Sequence, residues 1–184
     1  GPYRGFKGDI WEGGHRVPLV ARWPGRVAAG AKSAQPVCLT DFFATVAELT
    51  GAALPAAAAE DSFSFAPALL GRAPSGPRRP ALINHSNNGE FAYREGPWKL
   101  VLRNRDVLAK ARGQPRLTEL YNLETDLAEK TDVAAQHPDV VRRLRAALDA
   151  AVAKGSLRGV RGARNDAVVR VDVTQPLRWA DAAR

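Results

Sequence analysis

Residues 91–103 read FAYREGPWKLVLR, from Phe91 to Arg103. Two short runs rich in aromatic and aliphatic residues flank Glu95-Gly96-Pro97, a turn signal. In the second run Trp98, Leu100 and Leu102 alternate with Lys99, Val101 and Arg103, the period of a strand. The stretch therefore predicts a β-hairpin. Just upstream, ALINHS (81–86) is an apolar run ending in polar residues and predicts another strand. Downstream, a charged loop from Asn104 to Arg116 leads to TELYNL (118–123), a third strand signal beyond that one.

Next comes HPDVVRRLRAALDAAVAKG (137–155), an amphipathic helix. Pro138 sits in its first turn, Val141, Leu144, Leu148 and Val152 form one stripe, and Lys154-Gly155 close it. A Gly- and Arg-rich stretch follows, and AVVRVDV (167–173) offers the alternation of a last strand. This half of the chain predicts a small antiparallel sheet with one long helix packed on it.

The first half has a different rhythm. Leu19 to Trp23, LVARW, follows Pro18 and is ended by Pro24-Gly25, which predicts a short strand. After a loop (26–36), TDFFATVAELTG predicts a helix with Phe42, Phe43, Val46 and Leu49 on one face and Gly51 as its stop. Asp41 lies in its first turn, where a negative charge suits the helix dipole. Loop, strand and helix in that order indicate an α/β protein. From 52 to 80 the composition shifts to Ala, Pro, Gly and Ser, with a short helical turn expected within Ser62–Leu70. The segments that result are 1–54, a linker at 55–80, and 81–184.

The chain has 184 residues and a formal net charge of +8. Its basic residues are scattered: Arg142, Arg143 and Arg145 on one helix, and Arg158, Arg161 and Arg164 in the Gly-rich stretch. No focused basic face with interleaved aromatics appears, so no nucleic-acid partner is expected. No apolar run is long enough to span a bilayer, so no membrane partner is expected either. A single cysteine, Cys38, excludes an internal disulfide and a Cys-rich zinc site. Its setting, PVCLTDFF, is that of a small buried hydrophobe. There is no methionine and no apolar leader at the start, which predicts a processed product or a piece of a longer chain.

Chemistry concentrates in KGDIWEGGHRVP, Lys7 to Pro18. Gly13 and Gly14 permit backbone conformations barred to other residues. Lys7 lies on a Gly-flanked loop, and a lysine there is a point charge with three donors, suited to a phosphate or sulfate. The competing reading is a solvated loop in which Glu12 and Arg16 simply pair. His15 and His85 each border a polar loop and can face a common cleft.

Three stretches together resemble type I, formylglycine-dependent sulfatases. GPYRGFKGDIWEGGHRVPLVARWPG is similar to that family's K-G-x-x-x-E-G-G-x-R-x-P segment and the apolar strand ending in W-P-G. NHSNNGEFAYREGPWKLV resembles its H-S-x-x-G-x-F-A-x-R-x-G-x-W-K-L stretch. ELYNLETDLAEKTDVAAQHPDVVRRL resembles its E-L-Y-D-L-x-x-D-P-x-E-x-x-N-L-A stretch and terminal helix. The match runs from about Gly1 to Lys154, in family order. Leu127 stands where proline is usual, Asp132 where asparagine is usual, and Asn84 where a second histidine is often found.

The resemblance implies an α/β fold. Residues 1–54 would be the closing strand and helix of an alkaline-phosphatase-like α/β catalytic domain, and 81–184 a small α+β C-terminal subdomain. It implies sulfate-ester hydrolysis by a hydrated formylglycine beside a calcium ion. The C/S-x-P-x-R nucleophile stretch and the metal ligands of that family are not among these residues. No metal ligand is therefore expected here, and the chain is expected to be inactive alone. Lys7 matches the family lysine that binds a sulfate oxygen, which makes it the candidate catalytic and substrate-binding residue. His85 and Ser86 border the cleft of the family and are candidates for recognising the alcohol side of the ester. His15 belongs either to the substrate rim or to the packing. The expected partner is a sulfated small molecule or carbohydrate, and a periplasmic or secreted full-length protein is implied. Two alternatives remain: a stand-alone binding or assembly module, or a phosphodiesterase or phosphoglycerol transferase of the same superfamily.

Overall fold

The computed structural model describes residues 1–55, 57–73, 76–108, 117–160, 162–166 and 168–171. Its elements in chain order are α1 (Glu12–His15), α2 (Asp41–Thr50), α3 (Ala66–Leu69), β1 (Leu82–His85), β2 (Phe91–Glu95), β3 (Trp98–Leu102), α4 (Arg105–Leu108), β4 (Thr118–Asn122) and α5 (Pro138–Lys154). They group into two units, one of residues 1–16, 83–148 and 166–184, the other of residues 17–82 and 149–165.

The first unit is built on a four-stranded sheet in the order β1-β2-β3-β4. The predicted hairpin is present: β2 and β3 pair antiparallel from Phe91↔Leu102 to Glu95↔Trp98, with Gly96-Pro97 as a two-residue turn. Gly96 takes φ 57°. Proline cannot follow it into positive φ, so the pattern is that of a type II′ turn, which matches the twist of the strands. β3 pairs antiparallel with β4 from Trp98↔Asn122 to Leu102↔Thr118.

One face of this sheet takes α5. Its stripe residues Leu144 and Leu148 are fully buried, each such burial stabilising by about 1.5–3 kcal/mol. Trp98 on that face meets the His137 ring at 4.9 Å, and Glu95 pairs with Arg143. The opposite face, which carries Lys99 and Val101, is also covered. Ile10 and Trp11 pack there with Ala92, Val101, Tyr121 and Leu123. As a result Lys99, Leu100, Val101 and Leu102 are all buried. Residues 1–16, which supply Ile10 and Trp11, belong to this unit.

The second unit holds α2 and α3. The buried residues of α2 are Asp41, Ala44 and Thr45. Asp41 accepts hydrogen bonds from the backbone N–H of Cys38 (2.9 Å) and of Phe63 (2.8 Å) and is paired with the Arg79 guanidinium. Ala44 N–H donates to Ser62 Oγ at 2.9 Å, and Phe65 N–H donates to Thr45 Oγ1 at 3.0 Å. Phe42, Phe43 and Val46, expected on the covered face, are 41%, 55% and 53% exposed. Polar side chains that cap the 62–65 backbone displace them from the docked side.

The expected strand at Leu19–Trp23 is not formed: these residues carry no regular structure, and Val20 is 89% exposed. Strand pairing needs a neighbour, and among the described residues of this unit no other strand lies apart from the start of β1. Residues 168–171 likewise form no strand. The remainder of that expected strand, residue 167 and residues 172–173, lies outside the described residues.

Candidate functional site

The site is built from two loops of the first unit. The first is a tight turn. Asp9 N–H donates to Phe6 O at 2.9 Å, closing a four-residue turn over Lys7 and Gly8. Gly8 has φ 97° at the third position, the requirement of a type II turn. The Asp9 carboxylate reaches back to accept the Phe6 N–H at 3.0 Å. Lys7 occupies the tip. It is exposed, and among the described residues it has no ion pair.

The second loop joins β1 to β2. Ser86 N–H donates to Glu90 O at 2.9 Å. Ser86 Oγ accepts from the N–H groups of Asn88 (3.2 Å) and Glu90 (3.1 Å) and donates to the Glu90 carboxylate (3.2 Å). Ser86 is buried, so its hydroxyl frames the loop. His85, at the end of β1, is exposed and rests on the Phe91 ring with centroids 4.4 Å apart. Partial burial lowers the pKa of its imidazole, which keeps it neutral at pH 7.

The structure brings the two loops together. Asn87 N–H donates to Gly8 O at 2.9 Å. The approach is close enough that a Cβ on Gly8 would lie 2.4 Å from the Asn87 amide nitrogen. Lys7 and the His85–Ser86 corner thus flank one seam. His15 stands apart from this hydrogen bond, as the last residue of α1. Its Nε2 is buried with no hydrogen-bond partner among the described residues. Burial first, and then the Lys99 charge, lowers its pKa.

Behind the Lys7 turn lies a buried charge cluster. Glu12 and Arg16 pair at 2.6 Å, as the sequence suggested. The larger partner was not legible there. Lys99, with no exposed surface, places its Nζ 3.0 Å from Glu12 Oε1 and 2.8 Å from Glu129 Oε1. Glu129 Oε2 in turn accepts the Glu12 N–H at 2.6 Å. Burial pushes the Glu12 carboxyl up, but the Lys99 and Arg16 charges and hydrogen bonds outweigh it and hold it below its ordinary value. Arg4 stacks on Trp11 at 3.5 Å and donates to the Glu129 carbonyl at 2.9 Å. Asp132, in place of the usual asparagine, accepts the N–H of Leu120 (3.0 Å) and of Ala134 (2.9 Å) through Oδ1. An asparagine carbonyl oxygen can accept these two bonds as well.

No family model matches the chain. It is 35% identical over 150 residues to an N-acetylgalactosamine-6-O-sulfatase of Bacteroides thetaiotaomicron, covering 78% of this chain and 29% of that protein. It is 47% identical over 73 residues to the steryl-sulfatase of Mus musculus, covering 40% and 12%. Among solved structures, a Bacteroides thetaiotaomicron protein described with the metabolism of multiple glycosaminoglycans matches with a TM-score of 0.68 and 31% identity, over 81% of this chain and 32% of that one. The chain thus spans less than a third of the length of these relatives. The likeness runs through sequence and fold alike, the four-stranded sheet and long helix included, and on it the chain belongs to the sulfatases, as a C-terminal portion of that family.

Proposed function

We propose that the protein hydrolyses sulfate esters of carbohydrates, with Lys7 neutralising a sulfate oxygen and His85 meeting the alcohol side of the ester. The seam between Gly8 and Asn87 supports this reading. The turn that carries Lys7, exposed and without an ion pair among the described residues, is hydrogen-bonded to the loop that follows His85, an exposed imidazole whose pKa partial burial lowers. A lysine held on a short turn offers a point charge and three donors to a compact anion. Fixed donors aimed at developing charge are the largest single source of rate in such sites. A neutral imidazole can both donate to and accept from a sugar hydroxyl. Ser86 holds the loop that presents His85, and His15 lies behind the turn.

The names of the relatives support the substrate class: one is an N-acetylgalactosamine-6-O-sulfatase, another is tied to glycosaminoglycan metabolism. A periplasmic or secreted location belongs to the same proposal. Calcium and formylglycine belong to it as well, but not on these residues. Among the described residues no group of three or more His, Cys, Asp or Glu side chains can hold a metal ion. The described residues do not fit that centre.

The test is turnover by the full-length protein of N-acetylgalactosamine 6-sulfate, an aryl sulfate and a steryl sulfate. Lys7→Ala should lower kcat/KM by about 10²–10³ on all three. His85→Ala should change the ratio between sugar and aryl sulfate by more than tenfold, on the order of one lost hydrogen bond to a charged or well-placed group. Near-wild-type turnover by Lys7→Ala, or an unchanged substrate ratio in His85→Ala, would sink the respective assignment.

A further inference from the structure

We propose that Lys99 is a positioning residue for the sulfate site: through Glu12 and Glu129 it sets the place of the Lys7 turn. The inference rests on the assignment of Lys7 to the sulfate. Two observations carry it beyond that assignment.

The first is the way α1 and the Lys7 turn are fused. Gly13 N–H donates to Arg4 O at 2.8 Å. A Cβ on Gly13 would lie 2.3 Å from Gly5 O, and one on Gly14 would lie 2.2 Å from Asp9 O. The turn is therefore folded directly onto the backbone of α1, at contacts only glycine allows. Any shift of α1 is a shift of Lys7. The second is what holds α1. Its first residue, Glu12, is bound at both ends: the carboxylate by Lys99 Nζ at 3.0 Å and Arg16 Nε at 2.6 Å, the N–H by Glu129 at 2.6 Å. Lys99 belongs to β3, an inner strand of the sheet that is paired on both sides. The connection runs from β3 through Lys99 and Glu12 to α1 and so to the Lys7 turn.

Burial chemistry sharpens the point. A fully buried lysine between two carboxylates recovers little more than its own desolvation, and an apolar side chain of that size can hold a sheet face as well. What an apolar residue cannot do is fix the register of α1 over the strand. Angstrom-scale misplacement of a charge that contacts the reacting group costs about a hundredfold in rate.

The experiment is a double-mutant cycle in the full-length protein between Lys7→Ala and the charge-balanced pair Lys99→Met/Glu129→Gln. It is read by kcat/KM on an aryl sulfate and by calorimetric binding of inorganic sulfate. With Lys7 present, the Lys99 pair should lower kcat/KM by about 10–100-fold and weaken sulfate binding. In the Lys7→Ala background the same pair should change neither by more than about twofold, because its effect passes through Lys7. If the two losses multiply, or if the Lys99 pair keeps wild-type kcat/KM, the positioning role is overturned while the Lys7 assignment stands. If Lys7→Ala alone is silent, the Lys7 assignment falls and this inference with it. Glu12→Gln, a change of equal shape, repeats the cycle should the pair fail to fold, with the same expected and overturning results.

Discussion

Lys99 Nζ lies 2.8 Å from Glu129 Oε1, and neither side chain has any exposed surface. The two come from the central strand and from a loop thirty residues later, and both reach the same residue, Glu12, near the start of the chain. One buried cation thus ties three stretches of sequence to one point.

Removing that cation alone should be costly. Lys99→Met leaves Glu12 and Glu129 buried without their shared partner, a loss of about 3–5 kcal/mol. Urea denaturation of the protein should show it as a lowered midpoint. Adding Glu12→Gln and Glu129→Gln to Lys99→Met should recover more than half. A single Lys99→Met variant as stable as the parent would contradict the pairing.

The Asp41 cluster predicts a second weak point. Its carboxylate accepts two backbone N–H groups and pairs with the buried Arg79 guanidinium. Asp41→Ala should destabilise by about 3–5 kcal/mol, because Arg79 is left uncompensated. Asp41→Asn, which keeps one acceptor, should cost less. Thermal unfolding of the two variants checks the order, and equal losses would count against the ion pair.

Stability should fall as pH drops from 7 to 5, and the sign follows from the histidines. His15 and His85 both have folded pKa values below the ordinary 6.5. Their neutral forms fit the fold. That stability is fully present above 6.5 and is lost as pH falls below it through the lower folded values. A His15→Gln/His85→Gln variant should show a shallower decline over this range in urea melts. Glu12 acts lower down. Its folded pKa is depressed, so its contribution is present above about 4.5 and lost only as pH falls through the lower folded value. Because the Glu12 charge raises the His15 pKa, Glu12→Gln should steepen the decline between pH 7 and 5 while removing the loss below about 4.5, and a shallower slope between 7 and 5 would refute this division.

Gly14→Ala should loosen the Lys7 turn. The added methyl group would fall 2.2 Å from Asp9 O, a backbone atom that cannot rotate away. Amide exchange of residues 4–9 should quicken at least tenfold, since the Gly13–Arg4 and Asp9–Phe6 bonds would have to stretch. Unchanged protection across 4–9 would mean that the turn does not depend on this contact.

Some of this architecture was legible in the sequence because its causes are local. Gly96-Pro97 between two alternating runs specified a hairpin, and Pro138, the Leu144/Leu148 stripe and Gly155 delimited the long helix. The Glu12–Arg16 pair, four residues apart, was equally plain. Other features depend on partners far along the chain. The sequence marks Lys99 as part of the hairpin's packing, but nothing near it reveals that Ile10 and Trp11 cover that face or that Glu12 and Glu129 pair with it. Leu19–Trp23 has a strand's composition, but composition supplies no neighbouring strand. In α2 the aromatic stripe suggested the covered side, while Asp41 and Thr45, whose bonds reach 20 residues on to the backbone of Phe63 and Phe65, decided it. At the site, Lys7 and His85 stood out by residue type. The contact that unites them, a backbone hydrogen bond from Asn87 to Gly8, carries no side-chain signature at all.

Glu129 holds φ 51°, a left-handed backbone that favours glycine and costs other residues roughly 1–2 kcal/mol. Glycine there would relieve the backbone but surrender the carboxylate on which Lys99 and the Glu12 N–H both depend. The strained conformation is therefore locked in by its side chain, and the lock works in time as well as in space. With Lys99 and Glu129 each harmful to lose alone, a lineage leaves this arrangement by changing both within a short interval. Related sequences should accordingly keep the two together or lack the two together, with few intermediates between.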